Sequence, residues 1–195
     1  MQTNLSSVVN LFADTLRDPN GVATRIKSQR WPHDIGWSVM FLGIIAVVLL
    51  LHLEAHILGS ARQMRTVAGA PFIDVITLSS LSVLTVFIFY FMGRAMGGVG
   101  TFGATLALMA WFQIVVLILF ILQVLAGILV PFLAGLIAVI SIVIQIFCLI
   151  HFLNTLHDFD NLFKAIGLFV LSIFGLGFGL AIFVLLISGA ATVGV

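Results

Sequence analysis

Charge is what this sequence has least of. Only 8% of its 195 residues are Asp, Glu, Lys or Arg, against about a quarter in an ordinary soluble domain. A soluble fold of this length cannot hide a chain that is 62% hydrophobic, so lipid must be the solvent for most of it. The one cysteine, Cys148, lies inside an apolar run; an intramolecular disulfide is excluded, and the redox compartment is not readable from it. The first 35 residues do not have the form of a secretory signal, because the apolar stretch begins late and no small-residue cleavage site follows it. The first apolar run is therefore expected to stay in the mature protein. There is no nucleic-acid signal.

What is present is a series of apolar runs. A spanning helix needs about 20 mostly apolar residues, and five runs qualify: 36–53, 72–93, 102–126, 130–152 and 164–188. The stretch 102–152 carries no Asp, Glu, Lys or Arg. It is too long for one helix and right for two, with Gly127 and Pro131 supplying a tight turn. The fold class expected is an all-α integral membrane protein of five transmembrane helices (35–195) preceded by an amphipathic helical arm (1–34). If the N-terminus is inside, six Lys and Arg flank the spans on the cytoplasmic side and two, Arg62 and Arg65, lie opposite. The positive-inside bias then places the N-terminus in the cytoplasm and the C-terminus on the opposite side of the membrane.

The arm has its own pattern. Leu5, Val8, Val9, Phe12, Ala13 and Leu16 recur at helical spacing and predict one apolar face. Asp18 can cap and Pro19 can open a second short helix. That helix carries Arg25, Lys27 and Arg30 around Val22 and Ile26 and ends at Trp31. Basic residues with apolar stems and an indole suit the headgroup level of an anionic leaflet. The same apolar face could instead dock on the protein's own cytoplasmic surface.

Two histidine clusters invite a metal reading. On a continuous helix His52 and His56 lie one turn apart, about 40° around the axis, and could grip a divalent metal. Glu54 falls on the opposite face, and a third ligand would have to be Asp74, or Glu54 if the helix unwinds. His151, His157, Asp158 and Asp160 belong to the other side of the bilayer, ~30 Å of hydrocarbon away, and cannot join that site. Within the spans, Gln113, Gln123 and Gln145 and the hydroxyls of span two are either interhelical glue or the lining of a solute path. Gly93 and Gly97, and Gly175 and Gly179, have the four-residue spacing that lets helices approach closely, within the bundle or between copies. No nucleophile, base and orienter can be assembled, so enzymatic chemistry is not expected, and no cofactor is called for beyond the metal just described.

The arm "TLRDPNGVATRI", the five spans and the connector "GGVGTFGATLALMAWFQIVV" resemble the bacterial branch of the YIP (Ypt/Rab-interacting protein) domain family. The resemblance rests on Thr15, Leu16, Pro19, Ala23, Gly97, Gly98, Thr105, Leu106, Ala110 and Trp111. It implies an integral membrane protein with a cytosolic N-terminus that acts as a non-enzymatic scaffold or adaptor. The partners it implies are the lipid bilayer and other membrane proteins, or a second copy in a homo-oligomer. The long acidic-hydrophobic N-terminal domain of the eukaryotic members is missing, so their GTPase binding does not carry over. A small-solute transporter or channel, and a membrane metal-binding regulator, are the alternatives.

Overall fold

The computed structural model describes residues 5–29, 31–58, 70–159 and 161–193. Among them the regular elements are all helices: α1 (Leu5–Arg17), α2 (Pro19–Ser28), α3 (His33–Leu58), α4 (Pro71–Ala95), α5 (Phe102–Leu129), α6 (Pro131–His157) and α7 (Leu162–Val193). Five helices, α3 to α7, are long and apolar enough to cross a membrane, as the runs of the sequence predict.

Local chemistry sets the boundaries. Asp18 caps α2, its Oδ1 accepting from the Gly21 amide at 2.9 Å, and Pro19 occupies the first turn where no amide partner is needed. Thr101 does the same for α5, accepting from the Ala104 amide at 3.3 Å. The long apolar stretch breaks at Val130, with Pro131 opening α6; Gly127 remains inside α5 and is buried.

α5 is the axis of the bundle, packed against α2, α3, α4 and α6. Its approach to α3 is close because α3 presents glycines seven residues apart. A Cβ at Gly36 would lie 2.8 Å from Leu106 Cγ, and one at Gly43 2.6 Å from Gln113 Cγ. Met40, Ile44 and Val48 continue that face and pack with Val86, Leu106 and Ala110. A second and larger core joins α2, α4, α5, α6 and the start of α7 around Ile26, Phe89, Trp111, Phe152 and Leu168.

With 28 and 27 residues, α5 and α6 run to about 40 Å, roughly 10 Å beyond a hydrocarbon core. The excess is visible on α6. Exposed apolar side chains line it from Phe132 to Phe147 and then stop, and from Cys148 onward its residues turn inward under α1 and α2.

Candidate functional site: the docked arm and the two polar ends

α1 and α2 lie on the projecting ends of α5 and α6. Val22, Ala23 and Ile26 are all at or below 5% exposure and belong to the larger core. Removing a Val and an Ile from water is worth about 1.5–3 kcal/mol each, which makes this apolar face the main fastening. α1 enters with Val8, Leu11 and Phe12 against the same core and with Thr15 fully buried. Thr15 Oγ1 donates to Leu11 O at 2.7 Å and accepts from the Trp111 indole at 3.1 Å. Cys148 Sγ lies 3.9 Å from Thr15 O. The face expected from the sequence is thus rotated: Val9 and Leu16 are exposed, because burying Thr15 lets its hydroxyl satisfy an indole N–H that would otherwise have no acceptor.

Of the residues expected at headgroups, Arg25 is exposed, Arg30 is outside the described residues, and Trp31 is half-buried against the larger core. Lys27 is engaged with the protein itself: its ammonium donates to Thr155 O at 3.0 Å and to Asp158 Oδ1 at 2.6 Å. Thr155 Oγ1 in turn donates to Asn20 Oδ1 at 3.0 Å. Asp158 ends α6 in the left-handed region, φ 49°, a conformation that Asp and Asn tolerate better than other side chains.

Immediately before it, His157 anchors the connector between α4 and α5. The ring is 1% exposed and lies between Gly93, Gly98 and Gly100. A Cβ at Gly93 would overlap the imidazole, and Cβ atoms at Gly98 and Gly100 would lie 2.5 and 2.8 Å from Nδ1. Nε2 is 3.1 Å from Phe89 O, so Nε2 carries the hydrogen, since a carbonyl only accepts. Phe159 stacks on the ring at 5.4 Å, and the Val99 amide donates to His157 O at 3.1 Å. Gly93 therefore does permit close approach, to a histidine rather than to a helix backbone. Gly97, expected on the same packing face, is exposed with φ +86° and supplies the turn that ends α4.

The other cluster lies at the opposite end, as Asp74 and Gly93 are separated by about 28 Å along α4. His52 Nε2 meets Asp74 Oδ2 at 2.8 Å, the carboxylate fully buried and the imidazole 21% exposed. Glu54 is also buried, at 1%, while His56 is exposed. The structure thus pairs His52 with Asp74 across two helices. Among the described residues no three His, Cys, Asp or Glu side chains converge as a metal set. Arg62, Arg65 and Asp160 fall outside the described residues. The sequence offered Asp74 and Glu54 as third ligands beside the histidines; the structure brings Asp74 to His52, and the burial of both carboxylates follows from which helix faces turn inward.

The glutamines do not share one environment. Gln113 lays its stem into the notch at Gly43, Gln123 is 7% exposed in α5, and Gln145 is half-buried in α6. In α7 a Cβ at Gly175 would lie 3.4 Å from Met92 Cε, an ordinary contact with α4, whereas Gly179 faces open space.

Five apolar spanning helices with a two-helix arm clamped over one end define a polytopic helical membrane protein. No curated protein and no solved structure is significantly similar to it. The Yip1 domain model matches residues 13–185, from the buried turn of α1 through most of α7. The chain belongs to the Yip1 domain family.

Proposed function

We propose that the protein is a non-enzymatic membrane scaffold or adaptor, with the arm on the cytoplasmic side of a bacterial inner membrane and the C-terminus opposite. The observation that carries this reading is the two-sidedness of the arm. One face is committed to α5 and α6, while Ser6, Ser7, Asn10, Thr24 and Arg25 are exposed on the other, held in place by the packed side. A preordered surface binds a partner without the ordering cost of a loose tail. Family membership supports a role at membranes, and the bias of Lys and Arg toward the arm end supports the orientation.

The test is gentle purification from the native membrane with quantitative mass spectrometry of what accompanies the chain. A stoichiometric membrane-protein partner, or a homo-oligomer, disrupted by Asn10→Arg with Thr24→Arg supports the reading. A chain that carries no partner, does not self-associate, and moves solute in liposomes above empty vesicles would overturn it in favour of transport.

A further inference from the structure

The corner between α1 and α2 holds a cleft of about 300 Å³ lined by Asp14, Arg17, Asp18, Gly21, Val22 and Arg25. We propose that it binds the headgroup of an amine-bearing zwitterionic phospholipid, the phosphate on Arg17 and Arg25 and the primary ammonium on Asp14 and Asp18.

The depth of the cleft comes first. Asp14, Arg17 and Asp18 flank Thr15, which meets Trp111 of α5 and Cys148 of α6. Cys148 is the residue at which the lipid-facing stripe of α6 ends, Phe147 being its last exposed apolar member. Trp111 lies nine residues into α5, about 14 Å from the arm end of that helix. The cleft thus lies over the arm-end turns of the spanning helices, about two to three turns from their tips, where a bilayer's headgroups would meet the arm. Val9 and Leu16, exposed on the outer side of α1, continue an apolar surface toward it.

The chemistry is balanced. Two guanidinium groups and two carboxylates share the cleft. Neither arginine forms an ion pair among the described residues, whereas Lys27, the neighbouring cation, is already held by Asp158. Guanidinium forks suit phosphate oxygens. A lipid bearing only negative charge would leave both carboxylates against a like charge. A quaternary ammonium has no hydrogen to donate to them, whereas a primary ammonium has three donors. Asp18 is fixed by its cap to the Gly21 amide. Gly21 is what leaves room for that carboxylate, since a Cβ there would overlap Asp18 Oδ2.

The inference shares with the adaptor reading the placement of the arm at the membrane surface and the use of Arg25, and its readout needs no protein partner. The full chain is reconstituted in phosphatidylcholine vesicles containing equal phosphatidylethanolamine and phosphatidylglycerol, released in mild detergent, and its retained lipids are counted by native mass spectrometry. Phosphatidylethanolamine should be retained over phosphatidylglycerol, and Arg17→Gln with Arg25→Gln should lower that retention roughly tenfold or more. Asp14→Asn should abolish the preference for the amine lipid while leaving phosphatidylglycerol retention equal or higher. Wild-type retention that favours phosphatidylglycerol, or a preference untouched by Asp14→Asn, would overturn the proposal by reducing the cleft to a basic surface. A photoactivatable phosphatidylethanolamine gives a check on the unaltered chain: adducts should map to residues 14–25, and adducts confined to other segments refute the site. Partner co-purification that fails while amine-lipid retention persists counts against the adaptor reading alone.

Discussion

Replacing Ile26 by Ala should free the arm more often than replacing Lys27 by Met, although Lys27 makes the only described ion pair between the arm and the spans. Ile26 is 2% exposed within the larger core. Truncating a buried Ile to Ala costs about 2–5 kcal/mol, and the low end applies here, because a released arm can lay its apolar face in the bilayer interface. About 2 kcal/mol corresponds to roughly a thirtyfold rise in the open population. Lys27→Met keeps the apolar stem and loses a bond to Thr155 O and a contact to an Asp158 side chain that is 59% exposed. Solvent screening holds the ion pair to about 1 kcal/mol or less, and the backbone bond, at a side chain that is 26% exposed, adds about 0.5 kcal/mol, together a factor of about twelve at most. Cys148 supplies the assay, being the one cysteine in the chain, fully buried and in contact with Thr15 of the arm. Its alkylation rate in reconstituted bilayers, well below the unfolding temperature and with fast reclosure, tracks the open fraction. The reasoning fails if Lys27→Met accelerates labelling as much as Ile26→Ala, or if Ile26→Ala leaves the rate unchanged.

Three further outcomes follow from the two polar ends. Gly93→Ala, which gains about 1 kcal/mol of helix propensity at an open site, should instead destabilise by about 1–3 kcal/mol through overpacking against His157; His157→Ala should suppress that loss, measured as a double-mutant cycle of thermal unfolding. Asp74→Leu should cost about 3 kcal/mol or more by removing one partner of a buried pair, and Asp74→Asn, which still accepts from His52, should cost less in the same assay. Trp111→Phe should cost about 1 kcal/mol through the lost bond to Thr15, with Thr15→Val in that background adding less than it does alone.

The spans were legible because twenty apolar residues without charge have few other uses, and the arm's punctuation because Asp18 and Pro19 act locally. Which face of each span turns inward was not legible. In lipid both the inner and the outer faces of a helix are apolar, so the periodicity that betrays a buried face in water is absent. That is why Gly36 and Gly43, which set the α3–α5 approach, were indistinguishable from Gly179, which meets nothing. The histidines show the same limit. His157 and Asp158 looked like one helix-end cluster, yet the first is sealed between glycines and the second pairs outward with Lys27. Asp74 and His52 are separated by a connector whose path carries no sequence signature. Topology put both on one side of the bilayer, and the pairing itself depends on tertiary contact.

The clamp from Lys27 to Asp158 joins positions 131 residues apart, and this separation has a temporal side. The arm leaves the ribosome well before the end of α6 that receives it. At about 5–20 residues per second, roughly 7–26 s of synthesis pass before the docking surface exists. During that interval Val22, Ala23 and Ile26 have no protein to cover them, and the nascent arm must be sheltered by the bilayer interface or by a chaperone. Insertion of α5 and α6 is then also the event that captures α1 and α2.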